Sequence, residues 1–238
     1  MSPETTPVLI LCGGRGTRLQ QGRDSIPKAL VEIGEMPIVW HIVQCYLAAG
    51  FHDLWLLTGY LGEQINEFVS SADWPSEARV EAIDTGLDTP TGGRVAAVSE
   101  RLGSQDFCVT YGDGLSDVDL SLLLAEHQSS GAAASLTAVQ PQMQFGVLDL
   151  DGEQVRGFDE KPKSERWING GFICAGPALL DQLDSESVLE QEPFEILAAN
   201  GQLRAHRHSG FWACMDTYKE TLMLNDLYER NEAPWRQW

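Results

Sequence analysis

Short apolar runs that alternate with helix-length stretches constrain this chain more than any other feature. Residues 7–11 (PVLIL), 53–59 (DLWLLTG), 106–111 (DFCVTY) and 132–139 (AAASLTAV) are apolar almost throughout. Continuous runs of that length read as strands buried on both faces. Between them lie stretches of helical periodicity at 38–50, 63–71, 94–103 and 119–131. Gly50 and Gly103 stand where helices need a C-terminal glycine. The alternation predicts an α/β fold: a Rossmann-like, mixed, mostly parallel sheet with helices on both faces.

The texture changes after Pro141. Residues 145–162 read as two short strands joined by an Asp-Gly turn. A further strand (170–176), helices around 177–183 and 193–201, a strand at 202–208 and a last helix at 218–230 follow. No linker divides the chain. A single domain over 1–238 is therefore expected. Its first part, roughly 1–140, would be a nucleotide-binding half, and roughly 141–238 a smaller α+β half on the same sheet.

The formal net charge of −19 argues against nucleic acid and anionic membranes as partners. No stretch approaches the apolar length of a spanning helix, and the polar start MSPETTP does not read as a leader. Cys12, Cys45, Cys108, Cys174 and Cys214 are far apart and show no metal-ligand spacing. They read as reduced thiols, which points to a cytoplasmic protein.

Five segments carry chemistry. The first is the loop LCGGRGTRLQQG after the opening strand. It is no Walker A loop, and Leu19 stands where a dinucleotide fingerprint needs its third glycine. In open α/β sheets ligands bind beyond the carboxyl ends of the strands. Gly13, Gly14 and Gly16 there can present N–H groups to an anion, with Arg18 and Lys28 adding positive charge. The second is TYGDG, whose Asp113 could hold Mg²⁺ or merely turn the chain. The third is WACMDT, whose Asp216 could complete that cation site or cap the last helix. The fourth, DEKPKSERWINGG, offers Glu160, Lys161 and Asn169; Lys163 reads as solvated. The fifth, DTPTGGRV, offers Thr91, Gly92, Gly93 and Arg94, with Thr91 alternatively a helix cap. His206 and His208 would share a strand face but lack a third ligand, and the tail APWRQW reads as packing or an intersubunit contact.

Taken in chain order, with GYLGEQI, FGVLDL and EQEP between them, these segments resemble the sugar-1-phosphate nucleotidylyltransferases over nearly the whole chain. The T-G-G-R, M-D-T and A-P-W segments are similar to the cytidylyl branch of that family. The resemblance implies a GT-A-like fold, Mg²⁺ as cofactor and a homo-oligomer. It implies cytidylyl transfer from CTP to a sugar 1-phosphate, glucose 1-phosphate first, giving a CDP-sugar and pyrophosphate. Carried over by position, Leu11, Cys12, Gly13, Gly14, Gly16, Thr17, Arg18 and Gly112 would hold the nucleotide, with Arg18 on the departing pyrophosphate. Thr91, Gly92 and Arg94 would read the base. Lys28 would reach the α-phosphate, and Asp113 and Asp216 would bind the metal. Glu160, Lys161, Asn169 and Gly170 would hold the sugar phosphate. Ile26 replaces a lysine usual in the family, and the segment between FVSS and DTG is short. A different hexose 1-phosphate, a polyol phosphate or a phosphonate as acceptor, or a nucleotide-sensing subunit without turnover, therefore stay open.

Overall fold

A computed structural model of the protein describes residues 2–15 and 26–238. The chain runs β1 (Val8–Leu11), β2 (Glu32–Ile33), β3 (Met36–Pro37), α1 (Ile38–Ala48), β4 (Asp53–Thr58), α2 (Gly62–Ser71) and β5 (Arg79–Asp84). It continues with α3 (Thr91–Ala96), α4 (Ser99–Leu102), β6 (Phe107–Tyr111), β7 (Gly114–Ser116), α5 (Leu120–Ser130) and β8 (Ala134–Val139). Then come β9 (Val147–Asp151), β10 (Gln154–Asp159), β11 (Ile168–Ala175), α6 (Pro177–Leu180), α7 (Glu192–Ala199), β12 (Leu203–Arg207), β13 (Trp212–Cys214) and α8 (Tyr218–Glu229).

Seven strands form one sheet in the order β12-β8-β11-β6-β1-β4-β5. β1 pairs parallel with β4 and β6, β4 with β5, and β12 with β8. Only β11 runs antiparallel, between β6 and β8. The mixed, mostly parallel sheet expected from the alternation is thus present. Strand alternation splits the interior into two cores. Val8, Ile10, Leu54, Leu56 and Cys108 face a core shared with α1, α2, α5 and α8. Leu9, Trp55, Leu57, Phe107 and Val109 face the other, shared with α3, α4 and α7.

Three local expectations need correction. The stretch 94–103 is not one helix but two short ones, α3 and α4, separated at Ala97–Val98. The break lets Val95, Val98 and Leu102 all pack into the same core. Gly103 closes the second with a positive φ of 61°, as its position suggested. β5 escaped the pattern because its alternation is diluted: Arg79, Glu81 and Asp84 interrupt a half-buried edge strand. The three-residue ribbon β7–β13 is too short for any periodicity to show. The Asp-Gly turn holds: β9 and β10 pair antiparallel around Gly152, whose φ is +63°.

In the tail, Trp235 is the residue that packs into the core. Trp235 is fully buried and its indole N–H donates to His41 Nδ1 at 3.4 Å, while His41 Nε2 donates to the Ile33 carbonyl at 2.8 Å. A second proton on that ring would face the indole N–H. Burial lowers the pKa of His41, outweighing the backbone hydrogen bond, and burial lowers that of His127 as well. The unfolded chain therefore binds these protons first as pH falls. Stability is expected to be full above the ordinary histidine value of 6.5 and to decline below it. Thermal melts between pH 7.5 and pH 5 check this. A His41→Gln variant should show a shallower decline.

Candidate active site

The carboxyl ends of β1, β4 and β6 lie side by side, with Leu11 opposite both Leu57 and Tyr111. The loop that leaves β1 is squeezed. A Cβ on Gly13 would meet the Arg94 guanidinium at 1.9 Å, and one on Gly112 would meet Cys12 Sγ at 2.9 Å and the Leu11 carbonyl at 3.0 Å. Gly14, by contrast, faces open space. Gly16, Thr17 and Arg18 lie outside the described residues. Arg15 pairs with Asp88 at 2.7 Å beside the Tyr60 ring.

Among the described residues, three charged side chains meet at this edge. Lys28, in a short turn after Pro27, places its ammonium on both Asp113 and Asp216. Asp113 stands in the turn between β6 and β7, and its carbonyl accepts from Met215 N–H at 2.8 Å. That bond ties it to the strand end that carries Asp216. The cap of α8 is Thr217, not Asp216: Thr217 and Glu220 form a reciprocal capping box, and Glu220 also accepts the Asp216 N–H at 2.7 Å. Asp216 is thereby released for Lys28. Burial pulls the Lys28 pKa down, but the charge of Asp113 and the hydrogen bonds that the ammonium donates to both carboxylates more than reverse this. The lysine is held above its ordinary value and stays cationic.

Among the described residues, Asp113, Asp216 and Cys214 are the group that brings ligand atoms within 4.8 Å of one another. Two carboxylate oxygens suit a hard divalent cation. The Cys214 thiol does not, since burial and the charge of Asp113 push its pKa far up and keep the proton on sulfur. The donor set therefore fits Mg²⁺ held by oxygen alone.

The T-G-G-R segment behaves differently from its expected base-reading role. Arg94 is 4% exposed. One of its terminal nitrogens donates to Thr58 O, Thr85 Oγ1 and Gly86 O at 2.6, 2.8 and 2.9 Å, and the other to Gly13 O at 3.2 Å. This arginine knots the ends of β1, β4 and β5 together instead of offering its fork to a base. Gly92 and Gly93 are spent on close approach to the Ser187 and Ser185 carbonyls. Thr91 is not a helix cap: it accepts from Leu189 N–H at 3.0 Å and donates to Glu190 at 2.7 Å.

On the other flank, Asn169 donates to the Tyr111 hydroxyl at 3.3 Å while Gly171 N–H holds its amide oxygen at 2.9 Å. The Gly170 carbonyl accepts from the Trp212 indole at 2.7 Å. Glu160 and Lys161 are exposed, pair with each other at 3.1 Å, and stand just past the end of β10. His206 and His208 do not form a site; they bond Glu126 and Asp117 separately. Sequence reasoning missed Tyr111 and Glu190, which hydrogen-bond directly. Their contact spans 79 residues, so no local spacing could reveal it.

The nucleotidyl transferase family model matches residues 7–213, a span that holds Lys28, Asp113 and the sheet edge between them. The chain belongs to the nucleotidyl transferase family. Glucose-1-phosphate cytidylyltransferases of Salmonella typhi and Salmonella typhimurium are each 39% identical to it, over 97% of this chain and 98% of theirs. Both alignments run to 253 positions against 238 residues here, so these relatives carry residues that this family member lacks. In fold it is similar to HddC from Yersinia pseudotuberculosis, solved with GMP-PN, at a TM-score of 0.72 and 19% identity. That match covers 94% of this chain and all of the other. The expected nucleotidyltransferase architecture is met. No helix among the described residues is long and apolar enough to cross a membrane.

Proposed function

We propose that this protein transfers a cytidylyl group from CTP to glucose 1-phosphate, forming CDP-glucose and pyrophosphate. The observation that carries the reading is the cluster of Lys28, Asp113 and Asp216 at the sheet edge, in a chain 39% identical over nearly its whole length to two glucose-1-phosphate cytidylyltransferases. The whole chain is read as one domain, with nucleotide bound mainly by the first part and sugar phosphate by the second.

The acceptor's phosphate oxygen attacks the α-phosphorus of CTP in line, and the bond to the β-phosphate oxygen breaks. Such a step asks the protein for position and charge, not for a covalent intermediate. Lys28 supplies a fixed positive charge for the α-phosphate. The first loop presents backbone N–H groups from Gly13 and Gly14 to the nucleotide phosphates, and Arg18 takes the pyrophosphate. Arg94 acts by holding the loop ends in place. Lys161 and Glu160 receive the sugar phosphate together with Asn169 and Gly170. Mg²⁺ on Asp113 and Asp216, when bound, neutralises phosphate charge that a protein of net charge −19 would otherwise repel. Removing divalent ions with EDTA is expected to abolish pyrophosphate release, and added Mg²⁺ to restore it. Release that persists in EDTA would count against the cation site.

The selectivity test crosses four nucleoside triphosphates with sugar 1-phosphates, polyol phosphates and phosphonates. Release confined to CTP with glucose 1-phosphate supports the reading. Turnover of CTP with another acceptor, a possibility that Ile26 keeps open, moves the substrate and keeps the chemistry.

A further inference from the structure

A row of hydrogen bonds crosses the site edge and uses a carboxylate that the chemistry above leaves idle. Glu190 sits just before α7 and is exposed. One of its oxygens accepts from the Tyr111 hydroxyl at the carboxyl end of β6, the other from Thr91 at the start of α3. Tyr111 in turn accepts from Asn169 of β11. The ring of Tyr111 is fixed from behind: Gly171, at φ +82°, leaves no room there, since a Cβ would come within 2.4 Å of the ring. Tyr111, the middle member that joins Glu190 to Asn169, is thus held in place, and it stands two residues before Asp113 in the chain.

A carboxylate accepts about four hydrogen bonds and donates none. Two of those places on Glu190 are taken by Tyr111 and Thr91, and its exposed side offers the rest. Asn169 has spent its amide oxygen on Gly171 and one N–H on Tyr111. The row thus presents surplus acceptors and a negative charge. A phosphate is repelled there and drawn to Lys28. Neutral hydroxyl groups, which bring donors, are matched.

We propose that Glu190 is a specificity-determining residue that accepts hydrogen bonds from hydroxyl groups of the acceptor sugar, orienting the sugar with its phosphate toward Lys28. The inference rests on the sugar 1-phosphate reading above. It asks for an acceptor whose ring carries free hydroxyls, so a phosphonate without them would be a poor substrate.

The test measures kcat/KM with CTP for glucose 1-phosphate and for its 2-, 3-, 4- and 6-deoxy analogues. Wild type is expected to lose roughly tenfold to a hundredfold with at least one analogue, because a polar group built to meet that hydroxyl is left unpaired. Glu190→Ala should lose a similar factor with glucose 1-phosphate, and its penalty for that analogue should shrink to about twofold. KM for CTP should stay within about twofold. Glu190→Gln, which keeps one acceptor oxygen and the shape, should fall between the two and guards against a misfolded Ala variant. Two results overturn the proposal: an undiminished penalty for every deoxy analogue in both variants, or equal losses toward CTP and acceptor. A wild type that turns over no sugar 1-phosphate at all overturns the underlying reading, and this inference with it.

Discussion

Lys28→Ala is expected to lower kcat by roughly a hundredfold, on the order of 3 kcal/mol of transition-state stabilisation. The ammonium is the cation that bridges Asp113 and Asp216, and 85% of its side chain is shielded from solvent, so its charge is little screened. The same substitution has an opposite effect on metal binding. Two carboxylates that share one ammonium would face each other without it. A divalent ion then no longer competes with the Lys28 ammonium, and Mn²⁺ is expected to bind Lys28→Ala more tightly than wild type by titration calorimetry. Falling turnover with rising metal affinity separates a charge role in the reaction from loss of the fold. A variant that turns over like wild type would remove Lys28 from the site.

Arg94→Ala is expected to act on stability before it acts on catalysis. Its guanidinium satisfies carbonyls from Gly13, Thr58 and Gly86, and the Thr85 hydroxyl, in a nearly solvent-free position. Each buried carbonyl left without a donor costs about 1–3 kcal/mol. The Thr58 carbonyl keeps the Thr85 N–H and hydroxyl as donors and the Gly13 carbonyl keeps the Tyr60 N–H, so among these acceptors the Gly86 carbonyl is stripped of its partner. A loss of about 1–3 kcal/mol follows, or a fall in melting temperature of roughly 2–12 °C for a domain of this size. Arg94→Lys should recover only part of it, since one ammonium cannot span a fork of acceptors this wide. Unchanged melting together with a selective rise in KM for CTP would return Arg94 to the base-reading role that its motif suggested.

The contrast between these two residues marks what was legible in the sequence. The alternation of buried runs and helices was enough for the sheet apart from its half-buried edge strand β5, because burial on both faces leaves a signature in consecutive residues. Lys28, Asp113 and Asp216 were legible one at a time, as charge beside glycine or a helix start. Their meeting depends on β1, β6 and β13 ending at one edge. Asp216 was ambiguous between cap and ligand until Thr217 and Glu220 took the capping task. Arg94 was ambiguous for a physical reason: an arginine among glycines can serve a ligand or the backbone, and its acceptors here are backbone carbonyls and the Thr85 hydroxyl. Glu190 was hidden because its partners, Thr91 and Tyr111, lie 99 and 79 residues away.

On the function proposed above, the edge built from Lys28, Asp113 and Asp216 carries cytidylyl transfer to a sugar 1-phosphate. The most direct test mixes the purified protein with CTP, glucose 1-phosphate and Mg²⁺ and separates the products by chromatography. CDP-glucose and pyrophosphate are expected in equal amounts, with CTP consumed to match. CTP that binds and is recovered intact, with no CDP-sugar formed from any acceptor, would contradict it.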